Sequence, residues 1–371
     1  MRRRGMLVVM AGATAGVACS LVFPFDGYGP GSPLVDAGPA DAAAIDAADA
    51  FSPGCPLARP PAPPATDDPG GTDTNITLAI SALLLGAGTA TTPGLDVDGL
   101  CTCPDPPPCV SPQRVCDRDG GVDNAFDDLV GRFGAFGAPI DQQKVQASLD
   151  KGATSVVAVI YRYNGLPNDT SVELGLIASL GMNTDDAGDP IRPRHDGTDE
   201  WTVDPASITN KSEPFIPKTI ATAAYVSGGV LVARGPLIIS LGSATAVPIA
   251  LEDGVFTGRL VHDGIWRITD GRITGRWSTG KLLTSFAVIA DPLDKTAFLC
   301  GDSGAYLAYK PQLCAAADIS ANAADDLTGK KCDAMSFGMG FDAVEAKLGA
   351  LAPPRTQKSG CGPDWQDDCP K

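Results

Sequence analysis

Between Asp253 and Trp277 three Asp-Gly dipeptides, at 253–254, 263–264 and 270–271, interrupt short runs rich in Val, Ile, Leu and Thr. Asp-Gly accommodates the positive φ of tight reversals, and such runs form strands, so the stretch predicts an antiparallel meander. Segments 76–85, 154–163 and 171–179 also read as strands, as do 225–226 and 230–233 around Gly228-Gly229, and 237–241 after Gly235-Pro236. Helices are expected to be few and peripheral. One follows Asp123, with Phe126, Leu129, Val130 and Phe133 on one face, and others cover 141–150, 281–289 and 342–351. The acids agree: Asp and Glu total 44, of which only five are Glu, and Asp favours turns and caps over helix interiors. The expected fold is mainly β, a two-sheet antiparallel sandwich of jelly-roll or lectin-like type with disulfides, in preference to a barrel or a parallel sheet.

The N-terminus has the layout of an export signal. Arg2, Arg3 and Arg4 precede a mildly apolar stretch at 6–17, too short to span a bilayer, and Gly16-Val17-Ala18 leads into Cys19. This predicts a bacterial lipoprotein signal over 1–18 with Cys19 as the lipidated residue; cleavage after Ala18 with periplasmic or secreted release is the alternative. Ser20, rather than Asp, favours the outer membrane or cell surface. Membrane attachment is then expected only through that lipid. Eleven cysteines less Cys19 leave ten, an even number suited to disulfides, whereas Cys101-Thr102-Cys103 is too closely spaced for a zinc knuckle and neither His lies nearby. Spacing alone cannot settle connectivity. Proximity favours Cys361 with Cys369, two bridges within 101–116, Cys314 with Cys332, and Cys55 with Cys300.

Composition divides the rest. Residues 19–74 are dominated by Pro, Gly, Ala and Asp and are expected to be a disordered tether. The β domain should cover 75–352 with a cysteine-rich insert at 95–124, followed by a tail at 353–371. A net charge of −16 with no Lys/Arg-rich run after residue 4 disfavours nucleic acid as a partner.

Two acidic segments flank the insert: Leu95-Asp96-Val97-Asp98-Gly99 before Cys101, and Asp117-Arg118-Asp119-Gly120-Gly121-Val122-Asp123-Asn124 after Cys116. Bridges within the insert would bring them together. Asp96, Asp98, Asp117, Asp119, Asp123 and Asn124 supply the hard oxygens that Ca²⁺ takes six to eight at a time, and glycines let a loop wrap the ion. The spacing is not that of an EF-hand. A pair of Asx-Gly turns with Asp123 or Asn124 capping the next helix explains the same residues without an ion.

Catalytic patterns are thin. Cys300-Gly301-Asp302-Ser303-Gly304 matches the nucleophile segment of chymotrypsin-like proteases over five residues only, and His195 and His262 stand in unrelated contexts. The leading expectation is a binding or structural module of the cell envelope whose partner is an envelope or extracellular polysaccharide or protein. Trp201, Trp266 and Trp277 are the candidate platforms for a sugar, and an extracellular hydrolase using carboxylates near the insert is the alternative.

The chain resembles the myxobacterial type of predicted lipoprotein, with an export signal ending in Cys-Ser, an Asp/Ala/Pro-rich tether and a cysteine-bearing β domain of unknown function. The residues that carry the likeness are Gly94-Leu95-Asp96-Val97-Asp98-Gly99 with Cys101, Gly120-Gly121-Val122-Asp123-Asn124, the segment 270–277, and Cys332-Asp333-Ala334-Met335-Ser336 leading to Gly340-Phe341. The resemblance implies an exported location and carries no activity or site residues.

Overall fold

The computed structural model describes residues 57–86, 92–103, 105–113, 115–118, 120–134, 142–184, 191–241, 247–294, 296–353, 360–362 and 365–370. The expected signal segment, Cys19, Cys55 and Asp119 lie outside them.

Among the described residues ten strands and four α-helices follow in chain order: β1 (Thr74–Leu84), α1 (Ala125–Gly134), α2 (Gln142–Asp150), β2 (Ser155–Tyr163), β3 (Asp169–Ser179), β4 (Glu200–Val203), β5 (Ile220–Ser227), β6 (Val230–Leu241), β7 (Val247–His262), β8 (Trp266–Ser278), α3 (Thr279–Phe286), α4 (Gly304–Ala315), β9 (Ala334–Glu345) and β10 (Lys347–Leu351). Eight strands form a closed antiparallel barrel in the order β1-β2-β3-β5-β6-β7-β8-β9, and β4 and β10 form a separate parallel pair. The expected two-sheet sandwich is therefore wrong. Closure comes from β1 pairing with β9 between Leu78↔Glu345 and Leu84↔Gly340, which leaves the sheet without an edge.

The reason lies in two of the Asp-Gly pairs. Only Asp263-Gly264 joins two strands, as the β7–β8 hairpin. Asp253-Gly254 lies inside β7, where pairing with β8 shifts register between Glu252 and Val255. Asp270-Gly271 lies inside β8, where pairing with β9 shifts between Ile268 and Gly271. Asp253 and Asp270 have φ of 47° and 53°. The dipeptides thus serve as bulges, which bend a strand and increase its twist without ending it. Short runs that would fill two sheets become strands of 16 and 13 residues that curl into one.

Alternate residues point into the barrel. Ile76, Leu78 and Ile80 of β1, Val156, Ala158 and Ile160 of β2, and Met335, Phe337, Met339 and Phe341 of β9 share one apolar core with Phe126 of α1, Val145 of α2, Leu282 and Phe286 of α3 and Tyr306 of α4. Apolar filling inside is the opposite of a membrane-spanning barrel, whose apolar band faces outward. On the outer face, Val157, Val159 and Ile177 are covered by Trp201 and Val203 of β4. No helix among the described residues is long and apolar enough to cross a membrane.

Other expectations change as well. Segment 342–351, expected to be helical, is the end of β9 and β10. Residues 57–73, expected within the tether, run along the barrel: the Tyr225 hydroxyl donates to the Pro61 carbonyl at 2.6 Å, and Asp67 and Asp68 accept from Thr170 and Asn168. The disulfides pair Cys103 with Cys116, Cys109 with Cys332, Cys300 with Cys361 and Cys314 with Cys369, and Cys101 is also disulfide-bonded. Of the pairs that proximity favoured, one of the two bridges expected within 101–116 stands; the second, Cys361–Cys369, Cys314–Cys332 and Cys55–Cys300 do not, because Cys109, Cys361, Cys314 and Cys300 are bonded elsewhere. Such bonds persist in an oxidising compartment.

Candidate metal centre

The aspartates of the insert meet on the outer face of β8 and β9, and the meeting is built by backbone bonds. Asp123 Oδ2 accepts from the amides of Val97 (2.6 Å) and Asp98 (3.2 Å), and the Asp123 amide donates to the Leu95 carbonyl, so the loop at 95–99 wraps the Asp123 carboxylate. Asp96 Oδ1 accepts from Gly99 and Asp98 Oδ1 from Leu100, which are Asx turns. Asp117 Oδ2 accepts from the Thr102 amide at 2.7 Å, and the Asp117 carboxyl lies beside that of Asp123.

Asp96, Asp98 and Asp123 each offer an oxygen within 4.8 Å of the others. Ca²⁺ bonded to oxygen at about 2.3–2.6 Å spans opposite ligands by about that separation. Burial, reinforced by the Asp117, Asp96 and Asp318 carboxylates against the Leu100 amide, pushes Asp98 up to about 7. Burial and the Asp98 and Asp117 charges hold Asp123 well above the usual carboxylate range, and burial raises Asp117 too. Asp318, which accepts from the amide and hydroxyl of Ser336, is pushed up to about 6, chiefly by burial. Arg59 reaches Asp96 at 3.0 Å, while Arg276 turns its guanidinium to Asp326 at 2.6 Å, to Asp253 at 3.6 Å and to the Val97 and Ser320 carbonyls.

Two unsatisfied groups fall in the same place. Five buried side-chain atoms among the described residues lack a hydrogen-bond partner: Asp98 Oδ2, Thr102 Oγ1, Arg276 Nε, Ser320 Oγ and Trp277 Nε1. Asp98 Oδ2 belongs to the centre and Thr102 is bonded to it, whereas Arg276 Nε, a cationic donor, faces Asp253 at 3.6 Å. Native interiors leave few such atoms.

The sequence-based candidates therefore divide. Asp96, Asp98, Asp117 and Asp123 converge. Asn124 does not join them, because its amide donates to the carbonyls of Pro93 (2.6 Å) and Gly338 (3.1 Å) and accepts from the amides of Gly338 and Asp127, capping α1. Asp318, Arg276 and Arg59 were missed, and nothing in their local sequence marks them. Of the tryptophans, Trp201 is 2% exposed and Trp277 fully buried, with Trp277 packed near Phe126 and Phe337, so neither can be a platform. Trp266 is half-buried, between the rings of Tyr163 and His262 at 5.6 and 4.7 Å. Ser303 of the protease-like segment caps α4, accepting from the Tyr306 amide and donating to Asp291. A cavity of about 800 Å³ lies elsewhere, between β7, the first turns of α3 and Gln366, Asp367 and Asp368 of the tail. No protein family model, no curated protein and no solved structure matches the chain.

Proposed function

We propose that the chain is an exported lipoprotein, anchored through Cys19 at the outer membrane or cell surface, which acts as a binding or structural module of the envelope and carries a Ca²⁺ site in its insert. The supporting observation is the coincidence of three converging carboxylates with two buried oxygens that have no partner, Asp98 Oδ2 and Thr102 Oγ1. Asp96, Asp98 and Asp123 would hold the ion, with Asp117 beside Asp123. The ion would neutralise the cluster and pin the insert to the barrel. Hydrolysis by these carboxylates is the weaker option, since the loop at 95–99 encloses them and the described cavity lies elsewhere.

Calorimetric titration tests the site directly. Ca²⁺ should bind with measurable heat at micromolar to millimolar concentration, and at 100 times Kd it should stabilise the fold by about 2.7 kcal/mol. Asp98→Asn should lose most of the affinity. An absence of heat and an unchanged melting temperature would refute the site. For a polysaccharide ligand Trp266 is the remaining platform; a pull-down on envelope glycans that Trp266→Ala does not weaken would exclude it.

A further inference from the structure

Among the described residues between β1 and α1 the insert has no regular strand or helix and is held by isolated bridges, disulfides and side-chain hydrogen bonds. What places Asp117 is therefore local. Cys103 and Cys116 are bonded with Cα atoms 5.2 Å apart, closing a loop of sequence separation 13. Thr102, the residue before Cys103, and Asp117, the residue after Cys116, face each other across the bridge: the Thr102 amide donates to Asp117 Oδ2 at 2.7 Å and the Asp117 amide donates to the Thr102 carbonyl at 3.2 Å. The disulfide holds the pair on one side of Asp117, and on the other the Arg118 amide donates to the Val122 carbonyl at 2.9 Å, so the two together set Asp117 against Asp123. Thr102 is 5% exposed and its hydroxyl has no partner, and Asp98 Oδ2 is enclosed and likewise without one, so the carboxylate cluster is bordered by groups that await a ligand. The second bridge behaves differently. Cys109–Cys332 ties the insert to the lead-in of β9, with Cys109 Sγ 3.4 Å from the Asp318 carbonyl, and it keeps the insert on the barrel whatever the state of the first.

We propose that the Cys103–Cys116 disulfide sets the cation affinity of the aspartate centre, so that the oxidised insert holds Ca²⁺ and the reduced insert releases it. The inference rests on the Ca²⁺ reading above. Reduction breaks one S–S bond and yields two thiols; the two electrons and two protons come from a dithiol, which closes to its own disulfide. Reduction frees the 103–116 loop on one side of Asp117, loosening its carboxylate from the cluster and weakening its support of Asp123. Loss of a supporting group of this kind typically lowers metal affinity about 10- to 100-fold.

The experiment is Ca²⁺ titration of the full oxidised chain, of Cys103→Ser/Cys116→Ser, of Asp117→Asn with the bridge intact, and of the three substitutions combined. The expected result is a 10- to 100-fold weaker Kd for the double cysteine variant, a comparable loss for Asp117→Asn, no additional loss in the combination, and a far-UV spectrum unchanged in all. Binding by either single-purpose variant within twofold of wild type overturns the coupling while leaving the site standing. No binding by wild type removes the site itself, and the coupling with it.

Discussion

Asn124 and Asp123 are neighbours of nearly equal size with different tasks. The Asn124 amide satisfies Pro93, Gly338 and the first turn of α1, so Asn124→Ala should leave several buried backbone groups unpaired and cost about 3 kcal/mol in urea unfolding, with or without Ca²⁺. Asp123 instead gathers two loop amides and faces Asp98, and a change there should be felt in ion binding first. The sequence shows the density of oxygen-bearing side chains and the glycines between them, which are local properties. It does not show which of them converge and which cap a helix, because that depends on Gly338, Ser336 and Asp318, brought in from a distant stretch of chain. Asp318 in particular sits among alanines with no pattern to announce it.

The β runs of the elements were readable, and their lengths were not. An Asp-Gly pair reports a residue with positive φ, and a hairpin turn and a bulge both want one. The difference is whether a neighbouring strand continues past it. At Gly271 the neighbour is β9, so close that a Cβ would stand 2.5 Å from the Phe341 ring and 2.6 Å from its carbonyl oxygen. Gly271→Ala should force β8 from β9 and cost about 1–3 kcal/mol, read as a lower urea midpoint with an unchanged slope. Segment 342–351 failed as a helix for a related reason: its Ala, Glu and Lys favour helix, but pairing of β9 with both β1 and β8 overrides that preference. Conversely α4 carries Pro311 within it, which hides a helix from any local reading.

Over the whole molecule, proximity in sequence proved a poor guide to cysteine pairing because closure of the barrel carries distant segments together; Cys109 and Cys332 are 223 residues apart. The tail shows the same logic. Bonded at Cys361 and Cys369 to either flank of α4, it sets Asp367 between the Lys310 ammonium (2.6 Å) and the Tyr306 hydroxyl (2.5 Å). Although its burial works the other way, those two partners and the Asp368 amide hold Asp367 below the usual carboxylate range. A carboxylate lowered on folding stabilises the fold above its unfolded value of about 3.9, and the contribution disappears as pH falls through the lower folded value. Hydrogen exchange of residues 365–370 should therefore be steady from neutral pH to about 4 and quicken, after correction for intrinsic rates, only at more acid pH. Lys310→Met should abolish that protection already at neutral pH.

The lead-in to β1 has a mechanical consequence. Arg59 bonds the Asp96 carboxylate, and the Ala58 carbonyl accepts from the Asp96 amide at 2.9 Å, before Pro61, Asp67 and Asp68 meet the barrel in turn. Among the described residues, tension arriving from the N-terminal side meets Asp96 first. A pull on the chain there is thus a pull on one wall of the aspartate centre, felt by the insert before any rung of the barrel bears load.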